Sequence, residues 1–176
     1  MNIRNTFLFV GLALVIFSCK QTDDLTSFRI NNTVDFTIPA SSIVNVPTAI
    51  NPPSVASSSD QEFDDNNTNS DLVKDIRLET AILTIKSPAS QSWNFLKTIE
   101  VYISAEGLDE ILIAEKQNIP TDVGNQLELE STGAVLDEYI KKSSYSLRIL
   151  TERNSETTQE IEAEAALTFK VRADLI

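Results

Sequence analysis

Four sets of residues in this 176-residue chain carry atoms that could do chemistry: one thiol, one run of oxygen ligands, two rows of carboxylates and one aromatic pair. The thiol is Cys19, the chain's single cysteine. The oxygen ligands are Asp60, Glu62, Asp64, Asp65, Asn66, Asn67, Asn69 and Asp71, closely spaced as calcium requires. The helix-loop-helix calcium pattern nevertheless fails in both frames. Counted from Asp60, its sixth position is Asp65 instead of glycine and its last is Asp71 instead of glutamate; counted from Asp65, the last is Ile76. Asp60, Glu62, Asp64 and Asp71 therefore stand as weak calcium candidates in a solvated segment, and no metal or cofactor is expected. Glu160, Glu162 and Glu164 alternate along one strand face, as do Glu128 and Glu130. A glycosidase needs two carboxylates about 5 to 9.5 Å apart across a cleft, one with a raised pKa. A solvated strand face supplies the spacing without the burial, so no catalytic residue is expected. Trp93, beside Phe95, together with Tyr102 is the remaining candidate: exposed aromatics at such positions stack on sugar faces, whereas a single tryptophan at a strand entrance otherwise closes the core.

Composition removes whole chemistries. There is no histidine, so histidine triads and histidine zinc sites are excluded, and a single cysteine excludes an intrachain disulfide. The glycines after residue 18 are Gly107, Gly124 and Gly133, too dispersed for a phosphate loop or a nucleophile elbow.

Cys19 has a context that gives it a role. Residues 7–17 are apolar throughout, Arg4 is the one charge before them, and Ser18 is the small residue before the thiol. Eleven apolar residues fall short of the roughly 20 that a spanning helix needs. The order Ile16-Phe17-Ser18-Cys19 resembles the lipobox of bacterial lipoproteins. That resemblance implies cleavage after residue 18 and lipidation of Cys19, with diacylglycerol on the sulfur and an acyl chain on the amine. Each buried methylene contributes about 0.8 kcal/mol, so stable anchoring takes more than one chain. Lys20-Gln21-Thr22-Asp23-Asp24-Leu25 in turn resembles the acidic tether of surface-exposed lipoproteins of Bacteroidota. It implies an outer-membrane lipoprotein at the cell surface; a plain solvated tether would leave it facing the periplasm.

Removing residues 1–18 takes away Arg4, leaving 13 basic side chains of the 14 against all 26 acidic ones. A formal balance of −13 excludes a nucleic-acid surface, which needs clustered cations, and argues against adhesion to anionic lipid. The partners expected are the membrane, through the anchor, and a protein or glycan ligand.

The elements that must position these groups read as strands. Residues 1–18 are a signal peptide, 19–27 a lipidated tether, and 28–176 one domain. Phe28 to Ile38 alternates up to Pro39, and Ile43-Val44-Asn45-Val46 repeats the theme before Pro47. Residues 51–71, rich in Pro, Ser, Asn and Asp, are expected as a long surface loop. Strands are then expected at 76–85, 95–104, 110–115, 126–130, 144–153 and 158–172. In the first, Leu78 shares a face with Thr80 and Ile82, and Ala81, Leu83 and Ile85 share the other. One helix, capped by Ser131 or Thr132, carries Val135, Leu136, Tyr139 and Ile140 on its apolar stripe.

The turn residues Asn154-Ser155-Glu156 predict an antiparallel hairpin of the last two strands, with Ile149 across from Ile161 and Arg148 across from Glu162. Ile161, Ala163, Ala165, Leu167, Phe169 and Val171 then face inward. Seven or eight strands with one short helix give an all-β, immunoglobulin-like antiparallel sandwich, for which a jelly roll or a partly open barrel would look similar. The expected role is a non-catalytic binding or envelope-structural lipoprotein, with glycan capture for polysaccharide uptake as the alternative and an enzyme as the remote one.

Overall fold

The computed structural model describes residues 27–173, so the signal peptide, Cys19 and the acidic tether lie outside the described residues. Nine strands are formed among them: β1 (Ser27–Ile38), β2 (Thr48–Ile50), β3 (Val55–Ala56), β4 (Val73–Ser87), β5 (Leu96–Ala105), β6 (Leu108–Lys116), β7 (Gln126–Ser131), β8 (Ser144–Arg153) and β9 (Ile161–Ala173). Two short helices, α1 (Ser59–Asp65) and α2 (Asp137–Ile140), and a 3-10 turn at Trp93–Phe95 complete the described chain. Every strand pairing is antiparallel, and two layers enclose one core, so the all-β sandwich holds.

Its strand order is not that of an immunoglobulin domain. One layer runs β1-β9-β4-β7 and the other β6-β5-β8-β2, with β3 also on β8. In the immunoglobulin order the first and last strands belong to different sheets, whereas here β1 and β9 pair over twelve consecutive residues. Apart from the β5–β6 hairpin and the short step from β2 to β3, each connection crosses between layers, which makes the fold a jelly roll. The layers join along one side, where β6 meets β7 at Ala114–Ser131 and Glu115–Glu130. Along the other side, β1 forms no ladder with β2 or β3, although Cα atoms of β1 and β2 come within 8 Å.

The crossing order overturns the expected hairpin. Strand β8 pairs with β5, β2 and β3, while β9 pairs with β1 and β4, so Arg148 stands across from Tyr102 and Glu162 across from Thr37 and Ser87. Asn154-Ser155-Glu156 carries the chain from one layer to the other: Asn154 N–H bonds to the Phe95 carbonyl and Thr157 bridges to Ser41. Face periodicity fixed which side chains point inward, and residues 161 to 171 alternate as expected; it carries no information about the neighbouring strand.

Four further expectations are corrected. Ile43 to Val46 forms no strand, because Asn45 adopts a left-handed φ of 56° and leaves Ile43 60% exposed. The strand comes after Pro47 instead. Residues 51–71 are no plain loop: they form β3 and α1, and α1 inserts Phe63 into the core, edge-on to Phe28 at 6.1 Å. Helix α2 is a single turn starting at Asp137, capped neither by Ser131 nor by Thr132, whose hydroxyls bond to the Leu78 and Leu112 carbonyls. Val135 precedes that turn and is exposed, whereas Leu136, Tyr139 and Ile140 are buried. In β4, a register shift between Leu78 and Thr80 moves Leu78 onto the face of Ala81, Leu83 and Ile85.

Candidate functional site

Trp93 does not form a platform. Its ring is 0% exposed, stacks on Phe95 at 6.1 Å and donates its indole N–H to the Asn125 carbonyl at 2.9 Å, closing one end of the sandwich. Tyr102 lies on the outer face of the second layer, in a separate network. Its hydroxyl donates to Glu100 at 2.6 Å, and the Arg148 guanidinium sits 4.2 Å from its ring centre. Arg148 also holds Glu110 in a two-pronged ion pair. The hydrogen bond to Glu100 raises the Tyr102 pKa, and the bonds from Arg148 hold Glu110 below the usual carboxylate range. The ring is covered by its own protein's cation, so this is a satisfied surface cluster rather than a sugar-stacking face.

The acidic run is split by secondary structure. Asp60, Glu62 and Asp64 lie on α1, while Asp71 follows the helix in a turn where its N–H bonds to Asn69. Among the described residues, no group of three or more acidic, cysteine or histidine side chains converges as a metal would need.

What the fold assembles instead is a groove along the open side of the sandwich. Two adjoining cavities, of about 600 Å³ and about 480 Å³, share Asp35 and Pro53 on their rims. One wall is residues 31–37 of β1 and the other residues 50–56. The second wall is a strand edge broken by proline: β2 and β3 both pair with β8, but Pro52 and Pro53 between them have no N–H to donate. Asp35, Thr37, Lys86 and Glu162 supply the polar rim, and Phe36, Ile50 and Ala163 the apolar part. Lys86 is 3.1 Å from Glu164. Asn32 lines the smaller cavity, and its inward-facing amide nitrogen and the hydroxyl of Tyr145, which stands across from Val55, are buried without a well-formed hydrogen bond. Burial pushes the Tyr145 phenol up, so it stays protonated.

Sequence periodicity identified β1 but could not show that its edge is free, since edge status depends on which strand lies alongside. The groove residues Asp35 and Glu162 gave no signal beyond alternating with the core. Arg153 was also missed. It is 2% exposed, donates to the Pro39 carbonyl at 2.8 Å and leaves its Nε unpaired, and burial lowers its pKa.

No protein-family model and no curated protein matches the chain. A solved chain titled Desmodium yellow mottle tymovirus is similar over 84% of each chain, at 12% identity and a TM-score of 0.24. A likeness so slight bears on neither fold nor function. Among the described residues no helix is long and apolar enough to cross a membrane.

Proposed function

We propose that this protein is a lipid-anchored lipoprotein of the outer membrane, held at the cell surface, whose jelly-roll domain binds a partner and catalyses nothing. The observation that carries this reading is Cys19, closing an apolar run behind Ile16 and Ser18, with an acidic tether directly after it. From Cys19 to Ser27 is eight residues, a reach of at most about 28 Å at ~3.5 Å per residue. The anchor therefore keeps the domain close to the bilayer while its net negative charge keeps it off anionic headgroups. The groove beside β1 supports the binding role, being an open slot with both apolar and polar walls.

Growth with an alkyne-tagged fatty acid tests the anchor. The wild-type chain should be labelled and membrane-bound, and Cys19→Ser unlabelled and released to the soluble fraction. Equal labelling of both would contradict the assignment. Protease added to intact cells tests the surface location: the domain should be cleaved, and protection would turn it toward the periplasm.

A further inference from the structure

Natural edge strands are usually blunted by bulges, prolines, inward charges or shortness. Strand β1 has none of these. It runs for twelve residues without a register shift against β9, contains no proline, and its inward positions hold one polar residue, the uncharged Asn32. Among the described residues, nothing pairs with its other edge. In an antiparallel ladder about half of the backbone N–H and C=O groups of such a strand point away from its single neighbour. Those of residues 31–37 line the groove, over about 23 Å at ~3.3 Å per residue.

The charges on the rim narrow the occupant. Asp35 and Glu162 have no ion pair among the described residues, and the nearby Lys86 is held by Glu164. The site is thus left net negative, which favours a cation on the ligand. A second copy of this chain is a poor fit, because it would bring a balance of −13 and its own Asp35 edge to the same place.

Resting on the binding role proposed above, we propose that β1 takes an extended segment of about seven residues from a different protein as an added strand. The segment's inward side chains would be small and apolar, packing beside Val34, Phe36 and Val55. Its outward side would carry a Lys or Arg against Asp35 and Glu162. Backbone pairing provides the affinity, and the two carboxylates select the charge.

The mature protein, purified in detergent, can be panned against a displayed library of random twelve-residue peptides. Enriched peptides should alternate Val, Ile or Thr with Lys or Arg, and should slow amide exchange in residues 27–38. N-methylation of alternate peptide residues on one edge should weaken binding at least about tenfold, and the same modification on the other edge should not, since only one edge of the peptide donates its backbone N–H groups to β1. Asp35→Asn with Glu162→Gln should weaken binding about threefold to tenfold and reduce its salt dependence. Peptides that protect another surface, such as the loop at 39–47, would overturn the edge site and leave the binding role standing. Failure to recover any peptide that protects β1 would overturn it as well, as would indifference to N-methylation; none of these results touches the anchor, which Cys19→Ser tests alone.

Discussion

Asp35 on β1 stands directly opposite Glu164 on β9, two carboxylates side by side in adjoining strands. Like charges in that position are destabilising by a few tenths to about 1 kcal/mol. Lys86 offsets part of this from 3.1 Å, on the β4 side of Glu164. Asp35→Thr should therefore raise stability by up to about 1 kcal/mol while weakening the peptide binding proposed for β1. Urea denaturation gives the first quantity, read as a shift in midpoint at constant slope.

Phe63 belongs to the core although its segment is polar. It is fully buried and meets Phe28 edge-on, tying residues 51–71 to the start of β1. Phe63→Ala should lower stability by about 3 to 5 kcal/mol, whereas Asp64→Ala on the exposed side of the same helix should stay within about 0.5 kcal/mol. Equal small effects would restore the loop reading.

Asp137 fastens α2 to the irregular start of β4. Its carboxylate accepts from the Ile76 N–H at 2.7 Å and the Asp75 N–H at 3.2 Å, and Asp75 is held at a left-handed φ of 52°. Lys141 adds a bond to the Val73 carbonyl at 2.6 Å. Removing the carboxylate strands two partly buried donors, so Asp137→Ala should cost about 1.5 to 3 kcal/mol. Calorimetry of the variant against wild type checks this.

Acid should destabilise the domain, and two carboxylates set the window. Hydrogen bonds from Arg29 hold Glu79, and bonds from Arg148 hold Glu110, below the ordinary value of 4.5. A carboxyl whose folded pKa is depressed contributes stability that is fully present above its unfolded pKa and is lost as pH falls through the folded one. Both are well solvated, so each contribution is modest. Without histidine in the chain, stability should be flat from about pH 5.5 to 8 and fall below about 4.5. Glu110→Gln should flatten that fall; an unchanged acid limb would remove Glu110 from the explanation.

Trp93 should report its burial directly. Its fluorescence should be blue-shifted and resistant to iodide or acrylamide in the folded protein, and become quenchable on unfolding. Ready quenching of the native state would bring the sugar platform back into consideration.

Much of the fold was legible because sandwich strands alternate. The inward rows from Ile30 to Ile38, Ile99 to Ile103 and Ile161 to Val171 follow from side-chain period alone. The pairing of those rows was not. Asn154-Ser155-Glu156 has turn composition whether it closes a hairpin or crosses between layers, and both arrangements bury the same faces of β8 and β9. Phe63 was hidden because one aromatic in a polar stretch carries no periodicity. The groove was least visible of all, since it exists by virtue of β1 lacking a second neighbour and of Pro52–Pro53 breaking the facing edge. Proline was readable as a break, but the position of the break across from Asp35 required the topology.

The central claim is that Cys19 anchors this domain, and the intact mass of protein extracted from the outer membrane tests it most directly. The account predicts a chain that starts at Cys19 and carries the added mass of a diacylglyceryl group and an amide-linked acyl chain, both absent from Cys19→Ser. A wild-type chain starting at any other residue, or bearing no lipid mass, would contradict it.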